Sequence, residues 1–222
     1  MSSDSNLSGR CAEALAALAR SFGATASAEG DRVRVGENEL RLRAHTEGEG
    51  AAHSKYAIGI AVEVSVNGVA QPLTAGSVGI DANREEALET AVSEWAQLAG
   101  VGILSALGVR SKEALTLDLG RFSVHPGLTG FRGAQAVTWS DERQRELLDR
   151  LKGLVGGLES SASEFHSISI MLGVETDGST GGECRVDGVV SAEALKAAQS
   201  FPWPRASAAY MFKQFYVLRR SK

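Results

Sequence analysis

Between Tyr56 and Val66 the sequence alternates without a break. Tyr56, Ile58, Ile60, Val62, Val64 and Val66 fall on one side, and Ala57, Gly59, Ala61, Glu63 and Ser65 on the other. A period of two kept over such a run fits a strand and no helix. Asn67-Gly68 follows, a pair that tolerates the two positive φ angles of a type I′ turn. The run is therefore the first arm of a hairpin. The returning arm, Val69 to Ile80, contains Pro72. Proline removes a ladder donor, which puts that arm at a sheet edge or a bulge.

A shorter hairpin precedes it. Val33, Val35, Leu40 and Leu42 alternate with Arg32, Arg34, Arg41 and Arg43 around a turn at Gly36-Glu37-Asn38-Glu39. One face is aliphatic and the other carries four arginines. Thr46 to Lys55 reads as a loose polar stretch.

Helical signals flank these strands. Cys11, Leu15, Leu18 and Phe22 recur at helical spacing within Leu7–Phe22, and Gly23 stops the pattern. Asn83 with Glu86 makes a capping box ahead of Leu88, Ala91, Val92 and Trp95, in a helix ending near Gly100 or Gly108. A third helix, about Ser140 to Gly156, shows Leu147, Leu148, Leu151, Leu154, Val155 and Leu158 at spacings of three and four, with Asp141 and Gln144 resembling its capping box. Ser191 caps a short fourth helix that Phe201-Pro202-Trp203-Pro204 ends.

Strands return in the second half. Ile168, Ile170, Leu172 and Val174 alternate with Ser169, Met171 and Gly173, and Glu183–Val190 folds around Asp187-Gly188. Tyr210–Arg219 is apolar on both faces, which requires a central, covered strand. The fold class is α+β: mixed, mostly antiparallel sheets built from hairpins, with about four helices packed on one face. The expected organisation is one domain over residues 1–222, with room for a two-lobe split near 110–140.

Composition bounds the function. Of 222 residues 43% are hydrophobic, and the net charge is −4. That is too apolar for a disordered chain and too acidic for one coated in positive charge for nucleic acid. Cys11 and Cys184 are the only cysteines, which is no disulfide framework and no zinc spacing. No signal segment is visible. The longest nearly uncharged apolar stretch, Leu98–Val109, is shorter than the ~20 residues a membrane helix needs. The expectation is a cytoplasmic protein with no membrane association.

Motif by motif, known chemistry is missing. No glycine-rich string ends in the Gly-Lys of a phosphate loop, no serine sits in a nucleophile elbow, and the zinc-protease pattern is absent. An apparent calcium loop opening at Asp177 has Gly188 where a bidentate glutamate is required. No metal or cofactor is expected. His45, His53, His125 and His166 are isolated in sequence.

Three groups of residues remain as candidates. The acidic cluster Glu175, Asp177, Glu183 and Asp187 could share a proton or a cation if strand ends bring it together. The arginine face, Arg32, Arg34, Arg41 and Arg43, either meets an acidic partner or defends an edge hairpin against unwanted pairing. Phe131, Arg132 and Trp203 put large side chains on loops of restricted geometry, and such side chains often anchor interfaces.

The strings Gly-Leu-Thr-Gly-Phe-Arg-Gly (127–133), Gly-Glu-Cys-Arg-Val-Asp-Gly (182–188) and Phe-Pro-Trp-Pro (201–204), with the aromatic C-terminal strand, resemble uncharacterised bacterial proteins of about this length. The resemblance brings no catalytic motif. By analogy, some bacterial proteins of this type sit beside secreted toxins as immunity partners. The expected function is thus a cytoplasmic bacterial protein-binding module, of the kind that neutralises a toxin by direct contact. The alternatives are an enzyme whose acidic site (Glu175, Asp177, Glu183) forms only in the fold, and a nucleic-acid binder using the arginine hairpin.

Overall fold

The computed structural model describes residues 5–52, 54–109, 117–133 and 139–221. In chain order the elements are α1 (Ser5–Ser21), β1 (Ala26–Glu29), β2 (Arg32–Val35), β3 (Asn38–Ala52), β4 (Lys55–Val66), β5 (Val69–Asp81), α2 (Arg84–Trp95), a π-helical turn (Ala96–Gly100), α3 (Val101–Ala106), β6 (Leu117–Leu119), β7 (Phe122–Pro126), β8 (Gly130–Arg132), α4 (Asp141–Leu158), β9 (Phe165–Val174), β10 (Thr180–Val186), β11 (Val189–Val190), α5 (Ala192–Gln199) and β12 (Tyr210–Arg220). The fold is α+β, and every pairing among the described strands is antiparallel.

The first sheet is a meander in the order β1-β2-β3-β4-β5. Asn67 and Gly68 take φ of 51° and 77° and turn β4 into β5 as a type I′ hairpin requires. Pro72 lies on the edge strand and at an irregularity: Leu73 pairs with Val64 and Ala70 with Ser65, leaving Gln71 and Pro72 over. The stretch read as loose, Thr46 to Lys55, is mostly strand. β3 pairs with β4 as far as Ala52, after a bulge between Thr46 and Gly48. Backbone pairing with a strong neighbour outweighs the low strand preference of the Glu and Gly residues there. The arginine hairpin turns through Gly36-Glu37 alone, since Val35 pairs directly with Asn38.

The second sheet has the order β11-β10-β9-β12-β7-β6, with β8 also pairing β12. β12 is central, as its two apolar faces demand. Phe215 and Val217 point into the first core, while Phe212, Tyr216 and Leu218 point into the second. The first core joins the inner face of the first sheet to α1, α2 and α3. The second packs α4 and α5 on the far face of the second sheet.

The run from α2 through α3 lies between the two sheets. Its first half contacts β4 and β5 and its second half β7 and β12. It passes Gly100 in the π turn and reaches Ala106. The approach is close on both sides. A Cβ on Gly79 of β5 would stand 1.8 Å from the Ala87 carbonyl oxygen, and one on Gly127 would stand 1.5 Å from that of Leu98. Asn83 and Ser191 cap α2 and α5 as read from sequence, accepting from the Glu86 and Ala194 amides. For α4 the cap is Ser140, which accepts from Arg143 N–H.

Candidate functional site

The arginine face stands on the outer side of the first sheet. Arg32 is opposite Arg41, and Arg34 opposite Glu39; Arg43 is opposite Glu63. Their own chain supplies counter-charges. Glu39 lies 3.5 Å from both Arg32 and Arg34, and Arg41 Nε donates to Asp31 at 2.7 Å. That bond raises the Arg41 pKa above its usual value. The face mixes both signs, and more than half of the Arg32, Arg34 and Arg41 side chains remains exposed.

The loop aromatics go inward. Trp203 is 6% exposed and donates its indole N–H to the Ala198 carbonyl at 3.0 Å. Phe131 is half-buried against Trp139, Tyr210 and Phe212. The glycine string 127–133 follows the helix closely, with Leu128 N–H donating to the Gln97 carbonyl. Between β7 and β8 the ladder is interrupted, and Gln214 fills the gap, donating to the Gly127 carbonyl and accepting from Thr129.

The acidic cluster is not gathered. Glu175 and Asp177 are exposed at the β9–β10 turn, while Asp187 closes the opposite end of β10. Seven residues of strand put the two turns about 20 Å apart. Asp177 is held below the usual carboxylate range, chiefly by the Ser179 hydroxyl. Asp187 instead accepts from the Ser167 amide at 2.9 Å and meets His166 Nδ1 at 2.7 Å. His125 is buried between Ser105 and Ser123, 3.0 Å from each hydroxyl. Ser123 also donates to the Arg219 carbonyl. His45 is half-buried on β3; His53 lies outside the described residues. Among the described residues no three His, Cys, Asp or Glu side chains form a metal-binding group.

What the fold does gather is a cleft between the sheets. Register places Arg185, Ser169 and Phe215 in one row across β10, β9 and β12, and Glu183, Met171 and Lys213 in the next. This grid faces Ser77 and Val78 of β5, Leu98 of the π turn and Glu47 at the β3 bulge, around about 90 Å³. Two ion networks frame it. Glu94 of α2 accepts from Lys213 Nζ at 3.0 and 3.1 Å, from Arg132 at 3.1 Å and from the Val78 amide at 3.2 Å. Arg132 also donates to the Val78 carbonyl. Arg185 donates through Nε to Glu183 and through Nη1 to Glu47, at 2.5 and 3.1 Å. Burial pulls the Lys213 pKa down, against the pull of Glu94. Burial also acts downward on Arg185, but its bonds to Glu183 and Glu47 win and its pKa rises.

Of the residues singled out in sequence, Glu183 lines this cleft, while Arg132 stands outside its lining and is joined to Lys213 through Glu94. Glu47, Glu94, Ser169, Met171, Arg185 and Lys213 were missed. One signal existed: Lys213-Gln214 interrupts the otherwise apolar run from Tyr210 to Leu218, and a polar pair in a covered strand needs partners. A second concavity, an open groove of about 910 Å³, runs between α1 and α2 past Arg10, Glu13, Leu18, Glu89 and Val92.

No helix among the described residues is long and apolar enough to cross a membrane. No curated protein and no solved structure matches the chain. A family model does match, over residues 27–220, from β1 to the end of β12 and so across both sheets and the cleft between them; the chain belongs to the Family of unknown function (DUF6348).

Proposed function

We propose that the chain is a cytoplasmic bacterial protein that works by binding another protein, in the manner of an immunity protein, through the outer face of its first sheet. One observation carries this reading. Arg32, Arg34 and Arg41 expose 57%, 71% and 58% of their side chains, on a sheet face opposite the one that the described helices α1 and α2 pack against. Exposed ion pairs of this kind contribute only about 0–1 kcal/mol. A partner's carboxylates can therefore replace Asp31 and Glu39 at small cost.

The interleaved acids favour protein over nucleic acid. Asp31, Glu39 and Glu63 would repel a phosphate backbone, whereas a protein surface can match both signs. The two cysteines are free and buried, as suits a reducing compartment.

The test is affinity capture from the native host with the full chain and with an R34E/R43E variant of unchanged melting temperature. The expected result is a stoichiometric protein partner, retained at least tenfold better by the unaltered chain. Expressed alone, that partner arrests growth, and the chain relieves the arrest. Capture of nucleic acid only, equal retention by both chains, or a partner whose toxicity the chain leaves untouched would overturn the reading.

A further inference from the structure

We propose that the groove between α1 and α2 docks a basic amphipathic helix of a partner protein. The two helices lie on the inner face of the first sheet, α1 over β1, β2 and β3, and α2 over β4 and β5. Between their outer sides runs the open groove of about 910 Å³. Its α1 wall extends from Asn6 to Ser21, a length of about 23 Å at about 1.5 Å per residue. That is room for a helix of about four turns. An amphipathic helix laid in a groove is read through anchors spaced along one of its faces.

The floor suits such anchors. The outer face of a surface helix is ordinarily polar and charged. The second half of α1 departs from this. Ala14, Ala17 and Leu18 line the groove, Ala17 exposed and the other two half-buried. Val92 of α2 and Ala96 of the π turn line it from the other side. Short side chains on this floor let a second helix backbone come close.

Charge decides which helix fits. Arg10 donates to Glu85 at 2.6 Å and to Glu89 at 3.2 Å, so one guanidinium serves two carboxylates. Glu13, almost one turn further along the α1 wall, is exposed and forms no ion pair among the described residues. The walls thus hold three carboxylates against one cation. Lysine or arginine beside the partner's apolar stripe would match them, and glutamate there would be repelled. The other polar side chains of the lining, Asn6, Ser21, Ser93 and Gln97, are uncharged and offer hydrogen bonds without opposing a cation. This surface is separate from the arginine face, which lies on the opposite side of the first sheet.

Fluorescence anisotropy with the full chain tests the proposal. The probe is a labelled, end-blocked peptide of about four helical turns, with leucine and alanine along one face and lysine on both flanks. One control carries glutamate for every lysine. The other is a shuffled basic peptide of the same composition whose leucines no longer share a face. The lysine peptide is expected to bind saturably, one per chain, and at least about tenfold more tightly than either control. Glu13→Lys should weaken it about fivefold or more. Ala17→Trp, which fills the floor from an exposed position, should weaken it about tenfold or more. Glu13→Lys breaks no ion pair, so it decides alone if Ala17→Trp lowers the melting temperature. Glu37→Lys makes the same charge change at the turn of the arginine hairpin and should leave the affinity within about twofold. The R34E/R43E variant should bind the peptide as the unaltered chain does, so failure of the arginine-face reading is distinguishable from failure here. Absence of saturable binding, a smaller preference over either control, an equal loss in Glu37→Lys, or unchanged affinity in Glu13→Lys would each overturn the proposal.

Discussion

The two sheets of this protein solve the same burial problem in different ways. The first buries one face and leaves the other in water, so its strands alternate cleanly: β2 runs exposed, buried, exposed, buried. The second is covered on both faces, and β12 is buried from Phe212 to Leu218 without a break. A one-sided sheet leaves a charged surface free for contact. A two-sided sheet must bring polar residues such as Lys213 and Gln214 to partners inside. The exposed charged face therefore lies on the first sheet, and the enclosed polar groups lie where the second meets it.

The largest effect expected is in the second core. Phe212 packs with ring centroids 4.7 Å from Trp203, 4.8 Å from Trp139 and 5.5 Å from Phe131. Phe212→Ala should cost about 3–5 kcal/mol, read from urea denaturation midpoints. A cost below 1 kcal/mol would show that the aromatic cluster is not what closes this face.

Each core also contains one thiol, and burial pushes both Cys11 and Cys184 up to about 12 from an ordinary 9.0. The unfolded chain therefore ionises first. The stability these thiols contribute is complete below pH 9 and is lost as pH rises toward 12. At about 1.4 kcal/mol per unit the loss approaches 4 kcal/mol for each thiol. Cys11→Ala and Cys184→Ala should each flatten the fall in denaturation midpoint between pH 9 and 12; parallel pH curves for variant and unaltered chain would refute the assignment.

The helical run between the sheets is the third point of comparison. Gly79→Ala and Gly127→Ala drive a Cβ against helix backbone on opposite sides, and each should cost about 3 kcal/mol in thermal or urea unfolding. If only one does, the helix is clamped by one sheet and merely rests on the other.

The smallest effect belongs to the uncovered face. Arg34→Ala should change stability by less than about 0.5 kcal/mol while measurably weakening partner capture. A large loss of stability would place this arginine in the fold and not at an interface.

Local signals were readable because local physics sets them. The alternation of β4, the turn at Asn67-Gly68, the caps at Asn83 and Ser191 and the edge position implied by Pro72 each depend on residues a few positions apart. β3 beyond Thr46 was not readable, because its strand state comes from β4 and not from its own Glu and Gly residues. The glycine string 127–133 and Trp203 looked like exposed functional loops because restricted backbone geometry marks close packing as readily as a binding site. The acidic residues near 175–187 were close in sequence, but a strand separates the two turns that hold most of them.

By itself the sequence determined an α+β chain of antiparallel hairpins, where its helices begin, which strand must be central and which face carries the arginines. Tertiary structure alone decided that Glu94 meets Lys213, 119 positions away, and that Glu47 meets Arg185, 138 positions away. Periodicity records which way a side chain points from its own element. Which element it then meets depends on how two sheets pack against one shared helix, and no window of sequence contains both partners.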